Sequence, residues 1–252
     1  MIVSCAYIHS STPPTDFARR YDGTNYDYIA NPANQYDAVG AMSFWFRVPV
    51  LLSANGYIPI ICFSHNGSPS GAYGKKMQLC VRRRSAGYGN TNNYFDWEYV
   101  ANGTNSTVKS SNLVLAANTW YHVSVCSDGS IYINGTLATY IYWTTAFTSG
   151  WFSGITGTNH DLSFGAILTN TGAFGSGGRV DLDDYIYFND NLTSGEVAEI
   201  YGTGTRPPDP ASFTSTLQAK IVTYRNWENT LAPVIGSGTL TPIGSPSYIA
   251  FP

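Results

Sequence analysis

The stretch NTWYHVSVCSDGSIYING, residues 118 to 135, decides the fold class. Tyr121, Val123 and Val125 alternate with His122 and Ser124, the period-two pattern of a strand with one face in a core. Asp128-Gly129 and Asn134-Gly135 follow as tight-turn dipeptides, because both residue types tolerate the left-handed backbone that hairpin turns need. Working outward, the alternation returns. AMSFWFRV sets Met42, Phe44, Phe46 and Val48 against Ser43, Trp45 and Arg47, and KMQLCVRR aligns Met77, Leu79 and Val81. In GRVDLDDYIYF, the period places Val180, Leu182, Ile186 and Phe188 on one face, with Asp184 among them. Short strands with Gly, Asn, Ser and Asp turns about every 10 residues read as an antiparallel sandwich or barrel.

One helix stands out. Thr193-Ser194-Gly195-Glu196 spells a capping box, Val197, Ile200 and Tyr201 form the apolar stripe, and Gly202 ends it. Residues 202 to 212 are rich in Gly and Pro and read as an extended linker, after which LQAKIVTYRNW, GTLTPIG and PSYIAFP turn strand-like again.

Composition narrows the function. The chain has 252 residues, 15% aromatic and only 12% charged, with a net charge of −3. A typical globular chain is about 25% charged. A low-charge, Gly/Ser/Thr/Asn-rich and aromatic chain fits adhesins, virion proteins and carbohydrate-binding modules better than cytosolic metabolic enzymes. Arg82, Arg83 and Arg84 are the longest basic run, too small a footprint for nucleic acid, and read as a solvated strand end or a subunit contact. No stretch reaches the roughly 20 apolar residues of a membrane-spanning helix, and MIVSCAYIHSS has no positive region of a secretory signal. Cys5, Cys62, Cys80 and Cys126 form no C-x-x-C pair, so neither a zinc ribbon nor a redox motif is indicated.

Four stretches in order carry a family resemblance: RYDGTNYDYIAN (Arg20 to Asn31), MSFWFRV, NTWYHVSVCSDGSIYING, and LDDYIYFNDNLTSGEVAEIY (Leu182 to Tyr201). Together they resemble the laminin-G-like, concanavalin A-like lectin jelly rolls, of the kind found in phage virion proteins. The resemblance covers roughly residues 17 to 205 and implies an all-β, two-sheet antiparallel jelly-roll sandwich with one short helix near 193–201. The opening strands usual in the family are missing before Phe17, while similar sequence lies near the C-terminus. The implied organisation is a lectin-like domain over 1–205. Residues 206–252 then hold a linker and strands (213–252) that complete the same sandwich or, by strand exchange, that of a neighbour.

Catalysis finds little support. Glycoside hydrolysis needs two opposed carboxyls, yet Glu98, Glu196, Glu199 and Glu228 are the only glutamates and none lies in the E-x-D-x-x-E pattern of glucanases with this fold. His122 sits where the family packs a hydrogen-bonded histidine. No G-x-S-x-G elbow occurs. The chain is therefore expected to be non-enzymatic.

Binding is the remaining chemistry. One loop supplies Tyr88, Asn90, Asn92, Asn93 and Tyr94, and another Trp151, Phe152, Asn159 and His160: bulky rings for stacking on sugars and amides for their hydroxyls, or else anchors of a subunit interface. Calcium is the one cofactor the resemblance suggests, with Asp22, Asp183 and Asp184 nearest to family positions. The aspartate pair Asp183 and Asp184 is also mostly structural in that family. The expected protein is a virion structural component (capsid decoration or tail) on the virion surface, self-associating and touching other virion proteins, with glycans as candidate ligands and neither nucleic acid nor membrane insertion. The alternative is an extracellular adhesion module that binds a cell-surface polysaccharide.

Overall fold

A computed structural model describes residues 17–22, 24–30, 32, 37–65, 75–84, 91–101, 107–142, 150–155, 160–168, 174–176, 179–204, 209–227, 233–236 and 240–250. The strands run in chain order β1 (Phe17–Tyr21), β2 (Tyr26–Ala30), β3 (Ala41–Arg47), β4 (Gly56–His65), β5 (Lys76–Arg83) and β6 (Asn93–Val100). Next come β7 (Thr107–Ser111), β8 (Trp120–Cys126), β9 (Ile131–Ile133), β10 (Thr136–Leu137), β11 (Tyr140–Tyr142) and β12 (His160–Phe164). Then follow β13 (Ala166–Leu168), β14 (Phe174–Ser176), β15 (Val180–Phe188), β16 (Ile221–Arg225), β17 (Thr241–Ile243) and β18 (Ser247–Ala250).

Two antiparallel sheets form the sandwich. The first has the order β10-β9-β8-β3-β15-β1-β18, with β16 also beside β15, and the second the order β11-β7-β6-β5-β4-β12-β2-β17. A small pair, β13-β14, stands apart. Alternation sends Met42, Phe44, Phe46, Val123 and Val125 of the first sheet inward against Phe63, Leu79, Val81, Phe95 and Trp97 of the second, in one continuous core. At roughly 1.5–3 kcal/mol per large apolar side chain removed from water, this packing is the main force holding the sheets together.

The outer face of the first sheet is covered too. Helix α1 (Ser194–Tyr201) begins with the capping box, in which Thr193 Oγ1 accepts from Glu196 N and Glu196 accepts from Thr193 N. Val197 and Ile200 pack with Cys126, Tyr132, Ile186 and Phe188 in a second apolar cluster. A second helix, α2 (Ser215–Lys220), stands where LQAK read as strand. Leu, Gln, Ala and Lys are strong helix formers, Leu217 joins the second cluster, and Glu199 accepts from Thr214 Oγ1 at 3.1 Å. The β-branched run begins only at Ile221, and there the chain turns to strand.

The pattern in β15 also needs correcting. Val180 and Leu182 do face the inner core, but Ile186 and Phe188 belong to the second cluster. The register against β3 shifts between Asp183 and Ile186, and Asp184 takes φ 46°. This bulge adds a residue and flips every side chain after it to the other face.

The C-terminal segment pairs with strands of the same chain. β16 pairs with β15, β17 with β2, and β18 with β1, so these strands extend both sheets in cis. Strand β18 also lays Tyr248 against Arg19, whose guanidinium carbon lies 4.7 Å from the ring centre. Arg19 points inward and grips Asp27 of the second sheet through Nε (2.9 Å) and Nη2 (3.1 Å), while Tyr21 OH donates to the same carboxylate at 2.9 Å. Tyr21 packs so close to Gly165 (φ +78°) that an added Cβ there would meet its ring at 2.4 Å. Consecutive strands β1 and β2 thus lie in different sheets and are locked across the interior by one buried ion pair.

Candidate functional site

Between β1 and β2, Asp22, Thr24 and Asn25 lie at one end of the sandwich. Asp22 Oδ1 accepts from Thr24 N at 3.0 Å and Thr24 Oγ1 at 2.7 Å, and Asn25 Oδ1 accepts from Asp22 N at 3.1 Å. The Thr24 hydrogen bonds hold the Asp22 carboxyl below its ordinary pKa, so it is ionised at neutral pH. The register Tyr21↔Val180 carries the neighbouring Arg179 to the same end.

The third contributor is the β3–β4 loop. Asn93, the first residue of β6, accepts from Leu52 N (3.1 Å) and donates to Leu52 O (3.2 Å) through its carboxamide, and Arg83 Nη1 adds a second donor to that carbonyl at 3.2 Å. Val48 O accepts from Asn118 N, which ties the loop to the strand that follows. Held in this way, Val50, Leu51, Leu52, Ser53, Ala54 and Asn55 line an open cleft of about 470 Å³ with Asp22, Ile58 and Arg179. Its lining joins apolar side chains to a carboxylate, a guanidinium, a hydroxyl and a carboxamide. Val50 is 65% exposed at the rim.

The predicted site residues separate in space. Asp22 lines the cleft, and Asn93 supports it from behind as a buried clamp rather than a ligand contact. Asn92 stays exposed and its Nδ2 donates to Tyr94 OH at 3.3 Å. Tyr94 itself is buried. Tyr88, Asn90 and Asn159 lie outside the described residues.

Trp151 and Phe152 do not form a rim. Their segment turns inward at the opposite end of the sandwich, where Phe152 stacks on Phe63 (4.2 Å) and Tyr187 (5.6 Å), and Trp151 Nε1 donates to Tyr187 OH at 3.1 Å. Both rings are buried in the main core. Large rings gain most by leaving water, and this segment had room to fold in.

The three calcium candidates do not converge either. Asp183 and Asp184 are buried at the β15 bulge, where Asp183 Oδ1 accepts from Asp184 N at 2.9 Å and Asp184 Oδ1 from Tyr224 OH at 2.5 Å. At about 3.3 Å per strand residue, that bulge lies roughly 10 Å along β15 from the end where Asp22 sits. Among the described residues, no three His, Cys, Asp or Glu side chains gather as a metal site.

A further carboxylate pair lies on β6. Asp96 and Glu98, two residues apart, share a face, and Arg82 bridges them with Nε 3.2 Å from Asp96 and Nη2 2.6 Å from Glu98. Arg84 reaches Asp96 at 3.0 Å, Lys76 reaches Glu98 at 3.3 Å, and Ser110 Oγ donates to Asp96 at 2.5 Å. Burial pushes the Asp96 carboxyl up to about 6. The basic triplet is therefore not a solvated strand end: Arg82 and Arg84 neutralise this pair, and Arg83 clamps Leu52. The D-x-E spacing on an alternating strand, facing R-x-R on its neighbour, was the available signal.

Among solved structures, one of NanB with Optactamide aligns over 79% of this chain and 29% of its own, at 14% identity and a TM-score of 0.52. The likeness is one of fold, a concanavalin A-like, laminin-G-like jelly-roll sandwich. Other matches at a TM-score of 0.49 include the IT-sialidase CBM40 of Ruminococcus gnavus (16% identity, 73% of this chain and 98% of that one). Full-length tailspike protein 2 of Escherichia coli O157:H7 bacteriophage CAB120 matches at the same score (15% identity, 77% and 24%). The chain spans less than a third of the length of the NanB and tailspike chains. No family model and no curated protein matches the sequence.

Proposed function

We propose that this chain is a non-enzymatic, lectin-like binding domain that recognises a glycan through the loop-end cleft and serves as a structural component of a virion surface. The observation that carries the binding reading is the cleft itself. It joins polar groups of several kinds to apolar side chains on a rigid support, as saccharide recognition requires. The non-enzymatic part is supported by the state of the carboxylates. Asp96 and Glu98 share Arg82, Asp181 is held by Arg20 and Arg47, and Asp27 is held by Arg19, so these strand carboxylates are neutralised. A hydrolytic pair needs an acid and a base left free to exchange protons.

Placement on a virion, as capsid decoration or tail component, rests on the low-charge, Asn/Thr/Gly-rich composition. The cis pairing of β16, β17 and β18 favours a second reading, a self-sufficient adhesion module that works as a monomer at a cell surface. An array of glycans and bacterial polysaccharides, probed with the full chain with and without EDTA, tests binding. Light scattering on the same preparation separates the two placements. Selective binding supports the lectin reading, and a blank array overturns it. A defined oligomer favours the virion component, and a monomer the adhesion module.

A further inference from the structure

We infer that the cleft takes a sugar bearing a carboxylate, with Arg179 as its anion-binding residue. The inference rests on the glycan reading above and narrows it to a ligand class.

The described arginines are mostly spoken for. Arg19 grips Asp27, Arg20 and Arg47 share Asp181, Arg82 and Arg84 hold the β6 carboxylates, and Arg83 donates to Leu52 O. Arg179 differs. It is exposed, lines the cleft, and makes neither an ion pair nor a hydrogen bond with the described residues. Asp22 lines the same cleft, with Oδ1 accepting from Thr24, and among the described residues it forms no ion pair with Arg179.

A guanidinium presents a rigid planar fork that matches a carboxylate in two parallel hydrogen bonds. Phosphate and sulfate esters also accept from a guanidinium, but the number of oxygens discriminates. Among the lining residues Arg179 is the one cation, so a bound anion meets a single fork. A carboxylate has two oxygens, which one fork satisfies; a phosphate or sulfate ester has a third, which one fork leaves without a charged donor. The remaining groups suit a saccharide: Asp22 can accept from hydroxyls, Ser53 and Asn55 can donate and accept, and Val50, Leu51 and Leu52 can receive an apolar ring face. The volume, about 470 Å³, falls within the roughly 300–1,000 Å³ of small-ligand sites.

The test is calorimetric titration of the full chain with trigalacturonic acid, its methyl ester, 3′-sialyllactose, lactose and glucose 6-phosphate. The expected result is binding of one or both carboxylated sugars, at least tenfold weaker binding of their neutral counterparts, and weakening as salt rises. Arg179→Gln should lose at least tenfold in affinity and Arg179→Lys should lose less, both with the melting temperature of the parent because the residue is exposed. Neutral sugars that bind as well as acidic ones, a preference for the phosphate ester, or an Arg179→Gln variant of unchanged affinity overturns the inference while sparing the lectin reading. If no saccharide binds here or on the array, both fall.

Discussion

Tyr224 OH donates a 2.5 Å hydrogen bond to Oδ1 of Asp184, fastening strand β16 to the bulge of β15. Asp184 holds its left-handed backbone there (φ 46°), and burial raises the pKa of Tyr224 well above the ordinary phenol value, so the donor keeps its proton. Tyr224→Phe removes a hydrogen bond to a buried carboxylate, an interaction worth about 1.5–3 kcal/mol. The melting temperature should fall by about 3–12 °C, at about 2–4 °C per kcal/mol for a chain of this size. Differential scanning calorimetry reads it directly, and an unchanged melting temperature would show the contact to be dispensable.

Asp27 balances Arg19 between the sheets, with both side chains almost wholly buried. Asp27→Asn leaves a guanidinium in the interior without its counter-charge. Breaking such a pair from one side costs about 3–5 kcal/mol, more than the intact pair contributes. Urea unfolding should show a lower midpoint with little change in slope. A loss below about 1 kcal/mol would mean that water reaches Arg19 in the folded state.

His122 is buried with Nε2 2.7 Å from Ser43 Oγ, and burial depresses its pKa to about 3. An unfolded histidine titrates near 6.5. The unfolded chain therefore takes up this proton first, and stability drops as pH falls from about 6.5 towards 3, by up to ~1.4 kcal/mol per pH unit. Asp96, raised to about 6, acts with opposite sign: the folded state is protonated first, so stability drops as pH rises from the ordinary carboxylate range through 6. Between about pH 4 and 6 the two effects offset each other. His122→Gln removes the first, so the variant should gain stability relative to the parent as pH is lowered from 6.5. Parallel melting curves from pH 4 to 7 would refute the assignment.

Strands β17 and β18 cover the edges of β2 and β1, one in each sheet. Deleting residues 241–252 exposes both edges and strips Tyr248 from Arg19. Unpaired edges template association, so the shortened chain should melt earlier and self-associate in light scattering. A shortened chain that stays monomeric and equally stable would show the edges to be protected by other means.

What could be read from the residues was local. The capping box at Thr193 and Glu196 and the alternation in β3 and β8 depend on neighbours a few positions away, and each appears in the fold as its pattern implied. The reach of such signals ends where one residue changes phase. The bulge at Asp183–Ile186 moved Ile186 and Phe188 to the opposite face, although their spacing matches that of Val180 and Leu182. The helical LQAK segment was masked by the β-branched run directly behind it.

The sandwich class, the strand alternation and the capped helix were determined by the sequence by itself, because the periodicity of apolar side chains states directly which face is withdrawn from water. The cleft, the Arg19–Asp27 lock and the inward turn of Trp151 and Phe152 were decided only by tertiary structure. Asp22, Leu52 and Arg179 are distant in the chain and meet only because β1 pairs with β15 and Asn93 ties the β3–β4 loop to β6. Composition names the groups able to bind a ligand, but long-range pairing chooses which of them share one cleft and which fill the core.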